Sequence, residues 1–338
     1  MQVVRLKRIA GGIFLLVLIV ASVYIIRHDG GRPYITLGGE AFSTTWTVVY
    51  QPRKANDGLE DLVLRALEQV DLSLSAFNEE SVLSRVNRGE TCELDSLLCA
   101  CLNLSLQIAE ATGGAFDPTV GSLVDHYGFG AEERADTEGL AEIVGYTKLK
   151  IDGDTIDFLG EPAAKLDLSA VAKGMAVDVV SRVLDGAGIE NYLVEIGGEI
   201  RCKGASPSTE YWTVGIVRPQ RGETGVFVNI AVTNVSIATS GNYRNYKEQG
   251  DTIVGHILDP RTLGPSRSRT ISATVLAADC ATADAWATAL MVMQPEETSA
   301  LLPRHDELQA LIVYTDSMGE EYIWSTDELQ ELIVSINN

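Results

Sequence analysis

A carboxylate and a hydroxyl lie four residues apart in an apolar run, Asp284 and Thr288 within the segment 283–288. If the run is helical, residues i and i+4 share one face, so the two oxygens would point the same way. Such oxygens suit a hard cation such as Mg²⁺. An ordinary helical explanation also exists. Asp284 would lie in the first turn, where it favours the positive end of the helix dipole, and Thr288 would bond back to the carbonyl of residue 284.

Four other segments combine glycine with polar residues between apolar runs, a setting in which loops often carry function. They are residues 112–119, 167–174, 195–200, and the pair 238–243 with 255–260. In the first and third segments, paired glycines would let the backbone approach a ligand closely. The same pairs are also typical of a helix C-cap followed by a turn, and of a hairpin turn.

Two of these segments also carry charged or titratable side chains. Asp167 precedes a predicted helix N-terminus and Lys173 follows about one turn later, so backbone amides and an ammonium could form an anion site. A simple capping segment with a solvated lysine is the competing interpretation. His256, one of four histidines, lies between a predicted strand and Asp259-Pro260, where either a structural or a catalytic role fits.

The helices and strands that must position these segments alternate without a regular βαβ order. Apolar stripes of helical period predict helices over 58–75, 94–111 and 327–333, and one more that is capped by Ser169 and ended by the glycines at 186 and 188. Runs of β-branched and aromatic residues predict strands over 45–50, 192–196, 226–232, 271–276 and 311–314. The predicted fold class is therefore a mixed α/β or α+β domain, not a doubly wound sheet.

Composition and charge limit the possible functions. The chain has 338 residues, is 46% hydrophobic and carries a formal net charge of −21. These values predict a folded domain with a sizeable core, and they argue against a nucleic-acid partner, which would need clustered Lys and Arg. The five cysteines fit no zinc template. In an oxidising compartment Cys92 could pair with Cys99 or Cys101, Cys202 is left open, and Cys280 is expected to be a small buried side chain.

The N-terminus predicts a membrane anchor. Residues 1–8 are basic and cytoplasmic, residues 9–26 are uncharged and largely apolar, and residues 27–33 link them to a domain spanning 34–338. The apolar run rises about 27 Å as a helix, just enough to span a bilayer. The basic flank should stay cytoplasmic, so the rest of the chain would face the other side of the membrane. A cleaved signal peptide is the alternative, but the apolar run exceeds the usual length for one.

Several ordered blocks between about residue 41 and residue 293 carry a resemblance to a known family. They are Ser75-Ala76-Phe77 with Ser84-Arg85-Val86-Asn87, Gly113-Gly114-Ala115-Phe116-Asp117-Pro118-Thr119 with Gly128-Phe129-Gly130, Lys173-Gly174, Ile196-Gly197-Gly198, Thr239-Ser240-Gly241, His256 with Asp259-Pro260, and Ala283-Asp284. Together they resemble the FAD:protein FMN transferase family, the ApbE-type flavin transferases. The resemblance implies an ApbE-like domain with mixed sheets and flanking helices. It also implies an enzyme that moves FMN from FAD onto a Thr or Ser hydroxyl of an acceptor protein and releases AMP.

The resemblance also implies which residues form the site. Mg²⁺ would be held by Asp284, the Thr288 hydroxyl and the backbone carbonyl of Ala170, and it would act as a Lewis acid on the pyrophosphate of FAD. His256 would activate the acceptor hydroxyl or bind phosphate. The acceptors would be flavin-carrying subunits of membrane redox complexes. Contacts to the flavin and phosphates would come from Phe42, Phe77, Ala115, Phe116, Asp117, Asp167, Lys173 and Leu258.

The sequence departs from the family pattern at four places. Phe77 stands where many members have Tyr, so stacking would survive but a hydroxyl contact would be lost. Phe42-Ser43 stands where Met-Gly is usual, and the usual Thr-Gly-x-Pro becomes Thr-Leu-Gly-Pro at residues 262–265. Ala287 stands where some members carry a second Asp, which disfavours a second metal. None of these changes removes a central ligand.

Two other functions use the same residues. One is an FAD pyrophosphatase, in which water replaces the acceptor hydroxyl and the products are FMN and AMP. The other is a flavin-binding protein without catalysis. The presence of the metal residues together with His256 argues against the second function.

Overall fold

The computed structural model describes residues 32–54, 58–90, 92–132, 139–159, 163–217, 225–241, 246–249 and 252–336. The predicted basic flank 1–8 and membrane anchor 9–26 lie outside the described residues, as does most of the linker 27–33. Within the described ranges, no helix combines the length and the apolar character needed to cross a bilayer.

The described residues form helices and strands in alternating groups. The α-helices are α1 (Leu59–Leu74), α2 (Val82–Asn87), α3 (Ser96–Ala111), α4 (Gly121–His126), α5 (Leu140–Ile143), α6 (Ala172–Gly186), α7 (Cys280–Val292), α8 (Pro295–Leu301) and α9 (Asp327–Leu332), with short 3-10 helices at Tyr146–Lys148 and Leu302–Arg304. The strands are β1 (Ile35–Ala41), β2 (Thr44–Tyr50), β3 (Leu149–Asp152), β4 (Thr155–Phe158), β5 (Tyr192–Ile196), β6 (Glu199–Lys203), β7 (Trp212–Val217), β8 (Val226–Val232), β9 (Val235–Gly241), β10 (Tyr246–Gln249), β11 (Thr252–Gly255), β12 (Leu258–Asp259), β13 (Gly264–Pro265), β14 (Thr270–Ala277), β15 (Gln309–Thr315), β16 (Glu321–Ser325) and β17 (Ile333–Ile336).

An eight-stranded sheet forms the centre of the fold, with the strand order β1-β2-β5-β6-β9-β14-β15-β16. Side chains alternate between its two faces, so that Tyr192 and Val194 of β5 pack on one side and Leu193 on the other. A second sheet, in the order β17-β8-β7, covers the latter face. Every strand pair in the described ranges is antiparallel, which excludes a doubly wound sheet and shows that the expectation of mixed sheets is wrong. The combination of helices with strands confirms the predicted mixed α/β or α+β class.

Helices α6 and α7 cover the other face of the large sheet, α1 packs against α6, and the three helices help to build the main core. Helix α1 turns Val63, Leu67 and Val70 inward, which is the apolar stripe predicted from the sequence. Helix α7 is buried almost all round, and only Thr282 and Thr288 among its 13 residues escape full burial. The molecule is therefore layered as helices, large sheet and small sheet, with α6 and α7 side by side in the helical layer.

Most predicted elements are confirmed to within two residues, but the predicted helix cap is wrong. Ser169 does not cap the helix that follows it. Helix α6 begins at Ala172 with Val171 at the N-cap, because the Ser169 amide and hydroxyl both donate to Asp167. The helix predicted over 327–333 ends at Leu332, and the chain continues as β17, where Ile333 pairs with β8.

All five cysteines are free thiols in the structure, so the expected pairing of Cys92 with Cys99 or Cys101 is not formed. Cys101 is fully buried in helix α3, and that burial raises the pKa of its thiol. Cys202 and Cys280 are also fully buried, and the prediction that Cys280 is a small buried side chain is confirmed.

The turn between β1 and β2 is strained. Ala41 pairs with Thr44, so Phe42 and Ser43 are the two central residues, and their φ angles are 52° and 58°. A turn with two positive φ angles suits hairpin twist, but its left-handed backbone costs roughly 1–2 kcal/mol for a residue with a Cβ.

We expect Ser43→Gly to raise the free energy of unfolding by about 0.5–1 kcal/mol, because the relief of strain exceeds the added chain entropy of glycine. Urea unfolding measures the change. Ser317→Gly is the matched control, because Ser317 lies in an exposed turn and is not among the residues with positive φ. A Ser43→Gly protein no more stable than wild type would contradict the strain.

Candidate active site

One cavity of about 310 Å³ opens where the ends of several elements meet. Ten of the twelve residues predicted from the sequence line it, namely Ala115, Phe116, Asp117, Asp167, Ala170, Lys173, His256, Leu258, Asp284 and Thr288. The two exceptions are Phe42 and Phe77. Phe42 packs against the main core from the β1–β2 turn, and Phe77 follows the end of α1 with 72% of its surface exposed.

Helices α6 and α7 are joined by two reciprocal contacts between carboxylates and backbone amides. Asp284 of α7 accepts a hydrogen bond from the Gly174 amide of α6 through Oδ2, at 3.0 Å. In return, Asp178 of α6 accepts from the amides of Cys280 and Ala281 in the first turn of α7, at 2.8 and 2.9 Å. Each carboxylate therefore satisfies amides that the other helix leaves unpaired at its N-terminus. This pair of contacts is called the α6–α7 clasp below.

Glycine at position 174 is required for the α6–α7 clasp. A Cβ on Gly174 would lie 2.3 Å from the Cys280 carbonyl oxygen and 2.8 Å from the Cα of Ala281, which is closer than real atoms approach. The two helix N-termini are thus in direct backbone contact. The signal was present in the sequence as Lys173-Gly174, but only the structure shows which surface the glycine touches.

The ordinary helical explanation is wrong for Asp284, because this residue does not lie in the first turn of its helix. Helix α7 begins at Cys280 and is capped by Asp279, which places Asp284 in the second turn and not the first. The Thr288 hydroxyl lies half-buried, 3.2 Å from the Ser240 hydroxyl at the end of β9. Asp284 and Thr288 both line the cavity, as i and i+4 residues on one helix face should.

Lys173 brings the positive charge to this buried region. Its ammonium lies 2.5 Å from Oε1 of Glu199, the first residue of β6. Burial alone would lower the pKa of Lys173, but attraction to Asp284 and Glu199 outweighs it and the pKa is raised. Burial raises the pKa of Asp284, and repulsion from Glu199 adds to this, while Lys173 opposes the shift. The one ammonium thus pairs with Glu199 and is also attracted by Asp284.

Ala170 lies in the cavity wall just before the start of α6. Ala170 precedes α6, whose N-cap Val171 has the non-helical angles φ −146° and ψ −22°. In a regular helix the amide of residue 174 would bond to the carbonyl of residue 170. Here the Gly174 amide donates to Asp284 instead, and Ala170 lines the cavity.

Asp117 and Asp167 line the cavity but use their oxygens to shape the loops. Asp117 accepts from the Thr119 amide and hydroxyl through Oδ1 and from the Tyr146 amide through Oδ2, at 2.6 to 2.8 Å. Burial raises the pKa of Asp117 in spite of these bonds. Asp167 accepts from the Ser169 amide and hydroxyl. Through these hydrogen bonds, both residues fix the loops that form the cavity walls.

The loop between β11 and β12, together with Leu258 at the start of β12, forms another part of the cavity wall. His256 is half-buried, and its ring meets the Phe129 ring edge to face at 6.4 Å between centroids. Leu258 is 8% exposed and packs with Leu123 in a small separate core. Arg261 forms two hydrogen bonds with the Asp259 carboxylate, which fixes the turn that follows.

The two glycine pairs both form turns, and both lie in or next to the cavity wall. This agrees with the two interpretations given from the sequence, a turn and a close approach of the backbone to a ligand. Gly113 and Gly114, with φ angles of 58° and 82°, end α3 and lead the chain into the cavity wall at Ala115. Gly197 and Gly198, with φ angles of 64° and 106°, form the two-residue turn between β5 and β6. Gly197 also lines the cavity.

Three residues of the site were not assigned a role from the sequence. Glu199 follows the glycine pair directly, and an acid beside two glycines was the available signal. Asp178 stands in the apolar stripe of α6, where a lone carboxylate must find buried donors. Ser240 was part of a recognised block, but its hydroxyl partner on α7 could not be inferred from spacing.

The oxygen donors at the cavity suit a hard divalent cation. A carboxylate, a hydroxyl and a backbone carbonyl come from Asp284, Thr288 and Ala170, and the second oxygen of Glu199 is buried with no hydrogen-bond partner in the described part of the chain. Oxygen ligands of this kind are those that Mg²⁺ uses. No cluster of three or more His, Cys, Asp or Glu side chains with metal-binding geometry occurs among the described residues, so the donors of a site here would be mixed.

Comparisons with known proteins agree with this geometry. The sequence profile of the ApbE family matches residues 42–312. The FAD:protein FMN transferase of Vibrio cholerae is 38% identical over 305 residues, covering 86% of this chain and 91% of that protein. The protein of the same name from Escherichia coli is 29% identical, covering 89% of this chain and 90% of that one.

Solved structures give the same result. The flavin transferase ApbE from Vibrio cholerae matches with a TM-score of 0.78 at 33% identity, covering 89% of this chain and 100% of that one. The apo form of the Pseudomonas stutzeri flavinyl transferase ApbE matches with a TM-score of 0.77 at 29% identity, covering 89% and 97%. The chain belongs to the ApbE family, and the resemblance drawn from its sequence blocks is confirmed.

The α6–α7 clasp has a consequence for pH dependence. Burial raises the pKa of Asp178 from its usual 3.8 to about 6, although the Cys280 and Ala281 amides oppose the shift. A carboxyl group whose pKa is higher in the folded state stabilises the fold at low pH, and this contribution is lost as the pH rises through about 6. Asn at this position does not titrate.

We therefore expect the stability difference between wild type and Asp178→Asn to change by about 1 kcal/mol between pH 5 and pH 7.5, with wild type relatively more stable at pH 5. Denaturant unfolding at several pH values measures it. Asp185→Asn is the control, because Asp185 is an exposed residue on the same helix. Parallel stability curves for wild type and Asp178→Asn would contradict the assignment.

Proposed function

We propose that this protein uses Mg²⁺ to transfer FMN from FAD to a Thr or Ser hydroxyl of an acceptor protein, with release of AMP. The chain is an enzyme of the flavin transferase class, as its family and relatives named FAD:protein FMN transferase establish. The observation that carries the finer proposal is the convergence of Asp284, Thr288, Ala170 and Lys173 on one cavity. Ala170 and Lys173 lie more than 100 residues before Asp284 and Thr288 in the chain, and the two pairs meet because α6 and α7 are joined.

Asp284, the Thr288 hydroxyl and the Ala170 carbonyl would hold the metal, because all three residues line the cavity and each carries an oxygen that can bind a hard cation. When bound, Mg²⁺ supplies Lewis-acid neutralisation of the charge on a pyrophosphate. The raised pKa of Asp284 fits this role, since a nearby cation would favour the ionised carboxylate that burial disfavours. Lys173 would donate to a phosphate oxygen from the same side.

The transfer step needs a nucleophile, a leaving group and a proton acceptor. The acceptor hydroxyl oxygen would bond to the phosphorus of the FMN moiety, and the bond from that phosphorus to the bridging oxygen would break. AMP leaves with the bridging oxygen. His256 lines the cavity and would take the hydroxyl proton as general base. Phe116 and Leu258 form apolar walls that would exclude water from the reacting phosphorus.

We also propose that residues 9–26 anchor the protein in a bacterial inner membrane, with the catalytic domain on the periplasmic side. The uncharged run and its basic flank support this topology. Acceptors would then be periplasm-facing proteins, such as flavin-carrying subunits of membrane redox complexes.

The domain 34–338, incubated with FAD, Mg²⁺ and a candidate acceptor, should add one FMN mass to the acceptor. We expect Asp284→Ala to lower the rate of this addition by about 100-fold or more, because the central metal ligand is lost. Intact-protein mass spectrometry of the acceptor measures the product. The matched control is Asp185→Ala, an exposed carboxylate outside the cavity, which should keep the wild-type rate.

Three results would contradict parts of the proposal. Full activity of Asp284→Ala would contradict the metal assignment. Free FMN and AMP without labelled acceptor would indicate the pyrophosphatase. Tight FAD binding with no AMP release in Mg²⁺ would indicate a flavin-binding protein without catalysis.

A further inference from the structure

Glu199 is a buried carboxylate whose two oxygens have different surroundings. The residue is 4% exposed at the start of β6, and its Oε1 is paired with the Lys173 ammonium at 2.5 Å. Its Oε2 is buried and has no hydrogen-bond partner among the residues that the structure describes. Glu199 also lines the cavity that contains Asp284, and Gly197 lies beside it in the same wall.

An unpaired carboxylate oxygen in this setting is costly. A buried acceptor without a partner loses its hydration and gains nothing in exchange, and the cost is larger for a charged group. The chain could have avoided it with a shorter or uncharged side chain. The free oxygen is therefore expected to meet a donor or a cation that enters the cavity.

The local charge favours a cation. Asp284 and Glu199 are both buried in the cavity wall, and the Lys173 ammonium is paired with Glu199 at 2.5 Å. The third nearby carboxylate, Asp178, already receives two backbone amides. Two carboxylates and one ammonium leave a net charge of −1 in a region of low dielectric, where a divalent cation would be attracted strongly.

We propose that Glu199 is a positioning residue for the divalent cation, an inference that rests on the proposed function. Oε1 holds the Lys173 ammonium at the cavity wall, and Oε2 provides a second anionic oxygen beside Asp284. Because Mg²⁺ usually keeps several of its waters, Oε2 would accept a hydrogen bond from one of them or bind the ion itself. The single side chain thus orients both positive groups that face the pyrophosphate.

The test is Mg²⁺ binding without FAD, followed as the rise in melting temperature with MgCl₂ concentration. We expect Glu199→Gln, which keeps the shape but loses the charge, to need about 10-fold or more Mg²⁺ for the half-maximal rise. Glu195→Gln is the matched control. It makes the same change on the same hairpin, where Glu195 accepts from the Gly198 amide and does not line the cavity. It should keep the wild-type midpoint in Mg²⁺.

The outcomes separate this inference from the proposed function. A wild-type protein that does not respond to Mg²⁺ contradicts the metal in the proposed function and this inference with it. A responsive wild type and a Glu199→Gln protein with the same midpoint overturn this inference alone. The same holds if Glu199→Gln weakens FAD binding without Mg²⁺ and leaves the Mg²⁺ midpoint unchanged, since Oε2 would then serve FAD.

A conservative variant guards against a folding defect. Glu199→Asp keeps the charge but withdraws the oxygens by one methylene, so its Mg²⁺ midpoint should lie between those of wild type and Glu199→Gln. If Glu199→Gln does not fold, Glu199→Asp alone decides. A midpoint equal to wild type in that variant would overturn the role of Oε2.

Discussion

The α6–α7 clasp is the contact on which the site depends. Asp284 and Asp178 each bind backbone amides at the N-terminus of the opposite helix, so neither helix can shift without leaving buried donors unpaired. The contact also fixes the distance between Lys173 on one helix and Thr288 on the other. Asp284 therefore has two functions, since its Oδ2 joins the helices while the side chain lines the cavity. A change at Gly174 would separate these functions by pushing the helices apart.

Much of the site could be predicted because its residues lie in short blocks with distinct chemistry. Asp284 and Thr288 at helical spacing, Lys173 near a helix start, and the glycine pairs each carry a local signal. Glu199 and Asp178 could not be assigned, because their roles depend on which strand or helix end lies opposite them. Periodicity located the strands, but the order of the large sheet depends on pairings between distant segments, such as β2 with β5 and β6 with β9.

Two departures from the family pattern place residues with side chains at left-handed positions. Ser43 has a φ of 58° and Leu263 has a φ of 56°, at positions where the family pattern usually has glycine. A side chain at such a backbone position costs more than glycine does, and surrounding contacts must hold the conformation. Phe42 and Phe77 do not line the cavity, and their flavin contacts stay a prediction. Ala287 is fully buried and offers no second carboxylate.

The central claim is that Asp284, Thr288 and Ala170 form one divalent-cation site. Anomalous diffraction from crystals of the domain soaked in MnCl₂ tests it most directly, because Mn²⁺ takes the same oxygen ligands as Mg²⁺ and can be located by its signal. The predicted result is one strong peak about 2.0–2.3 Å from an Asp284 carboxylate oxygen, the Thr288 hydroxyl and the Ala170 carbonyl. A peak elsewhere on the protein, with Asp284 bound only to the Gly174 amide, would contradict the claim.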